Sequence, residues 1–306
     1  FQLGMENLHD CISCKIYTFG TVSLCYKASV SGTFEALKVD AINVVEKYAE
    51  IAKKDVEKIF AAIKTAIKKP VLFNLDSDYY AVQLEPAFER LPTEEFKDTF
   101  GGKIASLLRL ETETLSEYQQ DSILASTTGY YGEDFIIIDS EAAFVYDDEY
   151  SEAVEFLELA NIQRLELQCF DMMLDQKLSF FYNQEAAYKP SLGSYVPLVR
   201  SKVDRLLEEM ARLRVDVSVI TERLGSDLKM VGDAYFEQLY SMIADRLQLS
   251  FWRKSISKKL NIISDLYQLH HNQQESIRNE IMMVIIIVLI ALEAAIAFLE
   301  FSGHLK

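Results

Sequence analysis

The chain has 306 residues, 50% of them hydrophobic, so a sizeable core is available and an intrinsically disordered chain is excluded. Its 31 Lys and Arg against 47 Asp and Glu leave a net charge of −16, which repels polyphosphate and anionic lipid headgroups unless basic residues cluster. The longest basic groups, Lys53-Lys54, Lys68-Lys69 and Lys258-Lys259, are too short and scattered to form a nucleic-acid surface, so no direct nucleic-acid partner is expected.

The predicted elements of the N-terminal half mix hairpins and helices. Cys11-Ile12-Ser13-Cys14 has redox or half-zinc-site spacing, but zinc needs two further ligands and no second CxxC or HxxxH follows, so these cysteines read as ordinary residues at the start of a strand. Cys25 and Cys169 do not complete a disulfide framework, and a reducing compartment is the expectation. Cys14 to Phe19 and Val22 to Tyr26 read as two strands about Gly20. Asp40 to Lys69 has helical periodicity up to Pro70, and Ser116-Glu-Tyr-Gln119 has a capping-box pattern that opens a helix to about Ala125. Tyr130-Tyr131 between two glycines is either an exposed aromatic contact or a loop tucked against the sheet. Phe135 to Asp139 and Ala142 to Tyr146 read as a second hairpin around Ser140-Glu141, and the whole of residues 1–150 as an α+β domain. The acidic run Asp147-Asp148-Glu149 with Glu152 reads as a solvated turn and helix N-terminus.

Residues 151–280 read as a helical, coiled-coil region. A first helix runs from Ser151 to roughly Tyr188 and stops before Lys189-Pro190, where proline cannot continue it; residues 188–197 form the clearest linker. A second apolar stripe passes through Val203, Leu206, Met210, Leu213, Val217, Ile220 and Leu224, with Gly225 and Gly232 bracketing its end. Then Ile256, Leu260, Ile263, Tyr267, His270, Gln274, Ile277 and Ile281 follow a four-three spacing that places them along one side of a helix, the pattern of a coiled-coil seam and a homo-oligomer contact. Ile262, Leu266 and Leu269 add a second row. His270 and His271 point about 100° apart on a helix and have no companion ligands, so no metal or cofactor is expected. Three long helices joined by short breaks predict an antiparallel bundle or hairpin.

Ile281 to Leu299 is an almost uninterrupted apolar run of about 19 residues, enough for a helix to cross a bilayer's hydrocarbon core, and its β-branched residues leave no polar stripe for water. The expectation is a transmembrane helix over 281–300 with a short tail over 301–306, a single-pass C-terminal anchor whose soluble mass stays on the side of synthesis. Arg253, Lys254, Lys258, Lys259 and Arg278 precede the span and fit the positive-inside bias. Glu293 lies inside the run, where a charged side chain costs on the order of 2.5–3.5 kcal/mol at mid-bilayer, so it is expected to be protonated, to face another helix or to reach the interface.

The chain carries no GxxxxGK[ST], GxGxxG, GxSxG, HExxH or EF-hand loop, and enzymatic activity has no support at this level. The rival expectation is a set of carboxylates that converge only in three dimensions, among Glu111, Glu113, Asp139 and Glu141. Taken in order, a hairpin at Asp134 to Tyr146, a helical region, and Arg278-Asn-Glu280 running into Met282-Met-Val-Ile-Ile-Ile-Val-Leu-Ile-Ala-Leu-Glu293 resemble the RMND1/Rmd1/Sif2-type (DUF155) family of C-terminally membrane-anchored proteins. Lys259-Leu-Asn-Ile-Ile-Ser-Asp-Leu-Tyr-Gln-Leu269 is similar to that family's coiled-coil approach to its anchor, while Ile281 stands near the place where the family often carries tryptophan. The resemblance implies a non-enzymatic, self-associating scaffold at a bilayer with a protein partner, in a bacterial inner membrane or on the matrix side of the mitochondrial inner membrane, where members support organellar translation.

Overall fold

The computed structural model describes residues 11–17, 20–67, 70–84, 91–147, 151–187, 208–209, 211–212, 214–215, 217 and 234–303. They divide into two compact units, Phe1–Cys169 with Ile220–Arg253, and Phe170–Val219 with Lys254–Lys306.

The first unit opens on an antiparallel hairpin of β1 (Cys11–Ile16) and β2 (Val22–Tyr26), in register from Cys11 opposite Tyr26 to Ile16 opposite Val22, with an irregularity between Cys11 and Ser13. Helix α1 (Phe34–Ile63) starts earlier than its apolar periodicity predicts because Thr33 caps it: Thr33 Oγ1 accepts from the Ala36 N–H at 3.4 Å. It tightens into a 3₁₀ turn over Lys64–Ala66, ahead of Pro70. Asp55 on α1 is buried and is held by the Tyr26 hydroxyl, which donates to it at 3.1 Å, and by Lys58 Nζ at 2.7 Å.

Four further strands, β3 (Tyr80–Gln83), β4 (Thr127–Thr128), β5 (Phe135–Ile138) and β6 (Ala142–Tyr146), form a sheet of order β3-β6-β5-β4. β3 is parallel to β6 and the other pairs are antiparallel. Every residue of β5 and β6 is buried, which fits their continuous apolar sequences: strands with both faces covered have no use for polar alternation. On one face Phe135, Ile137, Ala142, Phe144 and Tyr146 pack with Phe96, Ile104, Ala105 and Leu108 of α2 (Thr93–Leu108) and Ile123 of α3 (Glu117–Leu124). On the other, Ile136, Ile138, Ala143 and Val145 are equally buried, and helix α5 (Ala234–Arg246) lies against β5. Gly101 lets α2 and α3 approach, since a Cβ there would sit 2.8 Å from Leu124 Cδ1. Ser116 stands at the N-cap of α3 but makes no side-chain cap hydrogen bond, so the predicted capping box is not formed. The strands β3 and β4 and the helices α2 and α5 were not predicted.

The long helix α4 (Ser151–Ala187) and the helix α6 (Leu249–Gly303) each contribute to both units. In the first, Arg164 donates to Ser77 Oγ at 2.7 Å and to the Ser140 carbonyl at 2.7 Å, tying α4 to the chain before β3 and to the β5–β6 turn. Arg246 donates to Ser126 Oγ and the Ser122 carbonyl, fixing the end of α5 to the end of α3. α5 and α6 meet at a corner where Leu247 and Leu249 are buried and Gln248 is left-handed, φ 56°. In the second unit, Lys259 Nζ lies 2.8 Å from Asp171 and 2.6 Å from Asp175, and Ser255 donates to Asp171 at 2.7 Å. Leu174, Leu178 and Phe181 of α4 and Ile256, Leu260 and Ile263 of α6 are buried there. The stripe predicted over Val203 to Leu224 falls mostly outside the described residues, as does the linker over 188–197; those described between 208 and 217 are helical, and Val217 is fully buried.

Glu166 on α4 is 4% exposed and neither carboxylate oxygen has a hydrogen-bond partner among the described residues. Burial raises its pKa from the ordinary 4.5 to about 7. The folded state therefore binds this proton more tightly than the unfolded one, so the contribution of Glu166 to stability is fully present below pH 4.5 and is lost as pH rises to about 7, a change of about 3 kcal/mol. Thermal unfolding in non-ionic detergent should show Glu166→Gln losing most of this decline between pH 5 and pH 8; an unchanged slope would place the titrating group elsewhere. Gln248→Gly should stabilise the corner by up to about 1 kcal/mol by removing the left-handed penalty, and Gln248→Val should destabilise it, both read by the same unfolding assay.

Candidate functional site

Helix α6 is one uninterrupted helix of 55 residues, and its surroundings change along its length. Ile256, Leu260 and Ile263, the first three seam positions, are covered within the chain. Farther along, Tyr267 and Ile277 are exposed and Ile281 is partly buried, while the side chains of His270 and Gln274 lie outside the described residues. The predicted seam is thus core at its start and surface at its end. The structure does not establish a coiled coil.

The stretch Glu275–Phe298 is 24 residues long; its most apolar 18-residue window has a mean hydropathy of 3.0, and none of that window is buried by the described chain. Such a helix is long and apolar enough to cross a membrane. Its exposed side chains include Met282, Val284, Ile286, Leu289, Leu292 and Phe298, which lie all around the axis. Glu293 is exposed among them, and Glu275, Arg278 and Glu280 mark the polar end.

The four carboxylates named as a rival site are only partly gathered. An open groove of about 350 Å³ is lined by Tyr80, Arg109, Leu110, Glu111, Gln119 and Glu141, with Leu108 and Leu115. Glu111 and Glu141 share it, and Glu113 is not among its lining residues. Asp139 is buried and turned to Arg109: Nη2 donates to Oδ1 at 3.0 Å, and Nε lies 2.6 Å from Oδ2 as an ionic contact. The groove's floor is the end of α2, where the Glu111 N–H donates to the Ser106 carbonyl and the Leu110 N–H to that of Leu107, a Schellman-type cap. Leu110 takes the left-handed position, φ 52°, that glycine usually fills. The Tyr80 hydroxyl donates to the carbonyls of Leu107 and Leu108, and burial pushes its pKa well above the ordinary tyrosine value, so it remains a donor. These contacts build a helix terminus. Among the described residues no group of three or more His, Cys, Asp and Glu is placed to hold a metal ion.

The thiols of Cys11, Cys14, Cys25 and Cys169 are all raised by burial, which disfavours the thiolate that redox or zinc chemistry needs. Tyr130 and Tyr131 are exposed, yet Tyr130 packs edge-on against Tyr235 with ring centroids 5.1 Å apart. The Asp134 carboxylate accepts both their backbone N–H groups, at 3.0 and 2.5 Å, closing the turn. Gly129 permits that turn, since a Cβ there would lie 2.1 Å from the Asp134 carbonyl oxygen.

Residues 1–152 match the family described as uncharacterized protein MJ0711, N-terminal domain. The chain is 25% identical over 287 residues to the uncharacterized protein MJ0711 of Methanocaldococcus jannaschii, covering 90% of this chain and 85% of that protein. No solved structure matches the chain. The similarity therefore extends past the matched N-terminal residues into the helical portion.

The division of α6 sets a clear contrast between its seam positions. Ile263→Ala should lower unfolding stability in detergent by roughly 2–4 kcal/mol, as a buried large-to-small change. Ile277→Ala should change it by no more than about 0.5 kcal/mol. Equal effects at both positions would contradict the observed burial.

Proposed function

We propose that this protein is a non-enzymatic scaffold, held in a membrane by α6 and associating with further copies of itself through the exposed part of that helix. The observation that carries the reading is the change of surroundings along one continuous helix, covered by the chain at Ile256, Leu260 and Ile263 and bare from Met282 to Phe298. The 24 residues are about 36 Å long and the apolar 18-residue window within them about 27 Å, against a hydrocarbon core of roughly 30 Å, and a bilayer is the medium that accepts an all-round apolar surface. Leu269 and Ile277 stand exposed between the covered and bare parts, on the surface where a second copy would add its own helix. Repetition of such contacts next to a bilayer gives multivalency without new chemistry. The basic residues Arg253, Lys254, Lys258, Lys259 and Arg278 ahead of the span favour a soluble portion on the side of synthesis. A role beside membrane-bound translation rests on the RMND1/Rmd1/Sif2-type (DUF155) resemblance.

A second reading, a membrane-bound enzyme, draws on the groove that brings Glu111 and Glu141 beside Arg109. It is the weaker one, because Arg109 is already engaged by Asp139 and Tyr80 by the end of α2.

In native membranes, alkaline carbonate should leave the full-length chain in the pellet, and protease added on the side of synthesis should digest the soluble portion. Release by carbonate would overturn the anchor. Cross-linking in mild detergent should give oligomers that Leu269→Glu with Ile277→Glu reduces to monomer; a wild-type monomer at micromolar concentration would remove self-association from the reading.

A further inference from the structure

Val71, Leu72 and Phe73 stand 69%, 49% and 41% exposed, next to Ile67, also exposed, in a stretch with no regular secondary structure. Four apolar side chains within seven positions, all turned to solvent, are unusual in a chain with ample core to bury them. Their exposure does not come from a loose end. On the upstream side the Ile67 N–H donates to the Lys64 carbonyl at the close of the 3₁₀ turn. On the downstream side Ser77 is clasped by α4: its hydroxyl donates to Asn161 Oδ1 at 2.8 Å, Asn161 Nδ2 donates to its carbonyl at 2.9 Å, and Arg164 donates to its oxygen at 2.7 Å. The loop is tied at both ends with its apolar residues outward.

The sequence around it is basic in a chain that is otherwise acidic. Lys64, Lys68 and Lys69 precede Pro70 and the apolar residues and Asp76 and Asp78 follow them, so the segment 64–78 has a charge of +1 with its basic residues on the side next to Val71, whereas the whole chain carries −16. Exposed aliphatic and aromatic side chains flanked by lysines are what the headgroup and upper acyl region of an anionic bilayer accepts: apolar groups enter the interface and ammonium groups remain at the phosphates. A nucleic acid would ask for a broader basic surface, and a protein groove would leave the lysines without a role.

We infer that the Val71-Leu72-Phe73 loop is a second, peripheral membrane contact, which docks on the surface of a bilayer containing anionic lipid. It rests on the reading that α6 brings the chain to a membrane, and it adds a lipid-binding surface on the first unit and the headgroup chemistry that surface selects.

Two single-tryptophan reporters in a Trp252→Phe background separate the two ideas. Phe298→Trp reports the span and Phe73→Trp reports the loop, each in the full chain in nanodiscs of phosphatidylcholine with phosphatidylglycerol, or of phosphatidylcholine alone, with or without acyl-chain bromination. The loop reporter should be blue-shifted and quenched by brominated lipid in the anionic discs and less so in the neutral ones. Lys64→Glu, Lys68→Glu and Lys69→Glu together should abolish the quenching while leaving the span reporter quenched. A water-like, unquenched loop reporter beside a quenched span reporter would overturn the loop contact and leave the anchor standing. A blue-shifted but unquenched loop reporter would mean that protein covers the loop, which also overturns it. If the span reporter is unquenched, the anchor fails, and anionic vesicles added to the same protein decide the loop by themselves: quenching at position 73 upholds it and its absence overturns it.

Discussion

A hairpin without a polar face has to be covered twice, and most of the first unit follows from that constraint. Side chains alternate across a strand, so Phe135, Ile137, Phe144 and Tyr146 face one way and Ile136, Ile138 and Val145 the other, and all are buried. One layer comes from α2 and α3, which are close in sequence. The other includes α5, which lies about a hundred residues beyond β5. The polar turn between β5 and β6, with the first residue of β6, is where the hairpin meets hydrogen-bonding side chains. Tyr79 donates to the Asp139 and Ala142 carbonyls, Arg164 to that of Ser140, and Arg109 pairs with Asp139. A turn held from three sides fixes the ends of two strands and, through Tyr79, the start of β3 beside β6.

The same economy explains the polar groups gathered at the end of α2. Polar groups at a helix terminus are there because four carbonyls lack intrahelical partners, and Tyr80 with the backbone of Leu110 and Glu111 satisfies several of them. Asp139, the one deeply buried carboxylate nearby, is compensated by Arg109. Glu166 is the opposite case, a buried carboxyl whose oxygens have no hydrogen-bond partner among the described residues and whose pKa burial raises, as it does that of Cys169 on the same helix.

Helix α6 meets three environments with one backbone. Where it is covered, its buried positions recur every three or four residues, Ile256, Leu260 and Ile263. Where it is bare, apolar residues occupy every face and periodicity disappears. Between them Leu269 and Ile277 are exposed and Ile281 is partly buried. A helix of this kind is long and apolar enough to cross a membrane.

How much of this was legible in the sequence depends on the range of the interaction that decides each element. Both hairpins, α4, the continuity of α6 and the apolar run were readable, because apolar alternation, apolar periodicity and a proline stop act within a few residues. The sequence also lacks the GxxxxGK[ST], GxGxxG, GxSxG, HExxH and EF-hand patterns. Four elements were not readable. β3 is only Tyr80–Gln83 and becomes a strand by pairing with β6 some sixty residues away, and β4 is two residues added to the edge of β5. α2 has a Gly-Gly pair in its interior that lowers local helix propensity, and only its packing against α3 gives Gly101 a purpose. α5 depends on the sheet it covers. The four-three spacing from Ile256 to Ile281 was real in sequence, yet spacing specifies which side of a helix is apolar and not whose surface covers it. Only the tertiary structure decided that the first three of those positions belong to the chain's own core, because burial is a property of what the rest of the chain brings alongside.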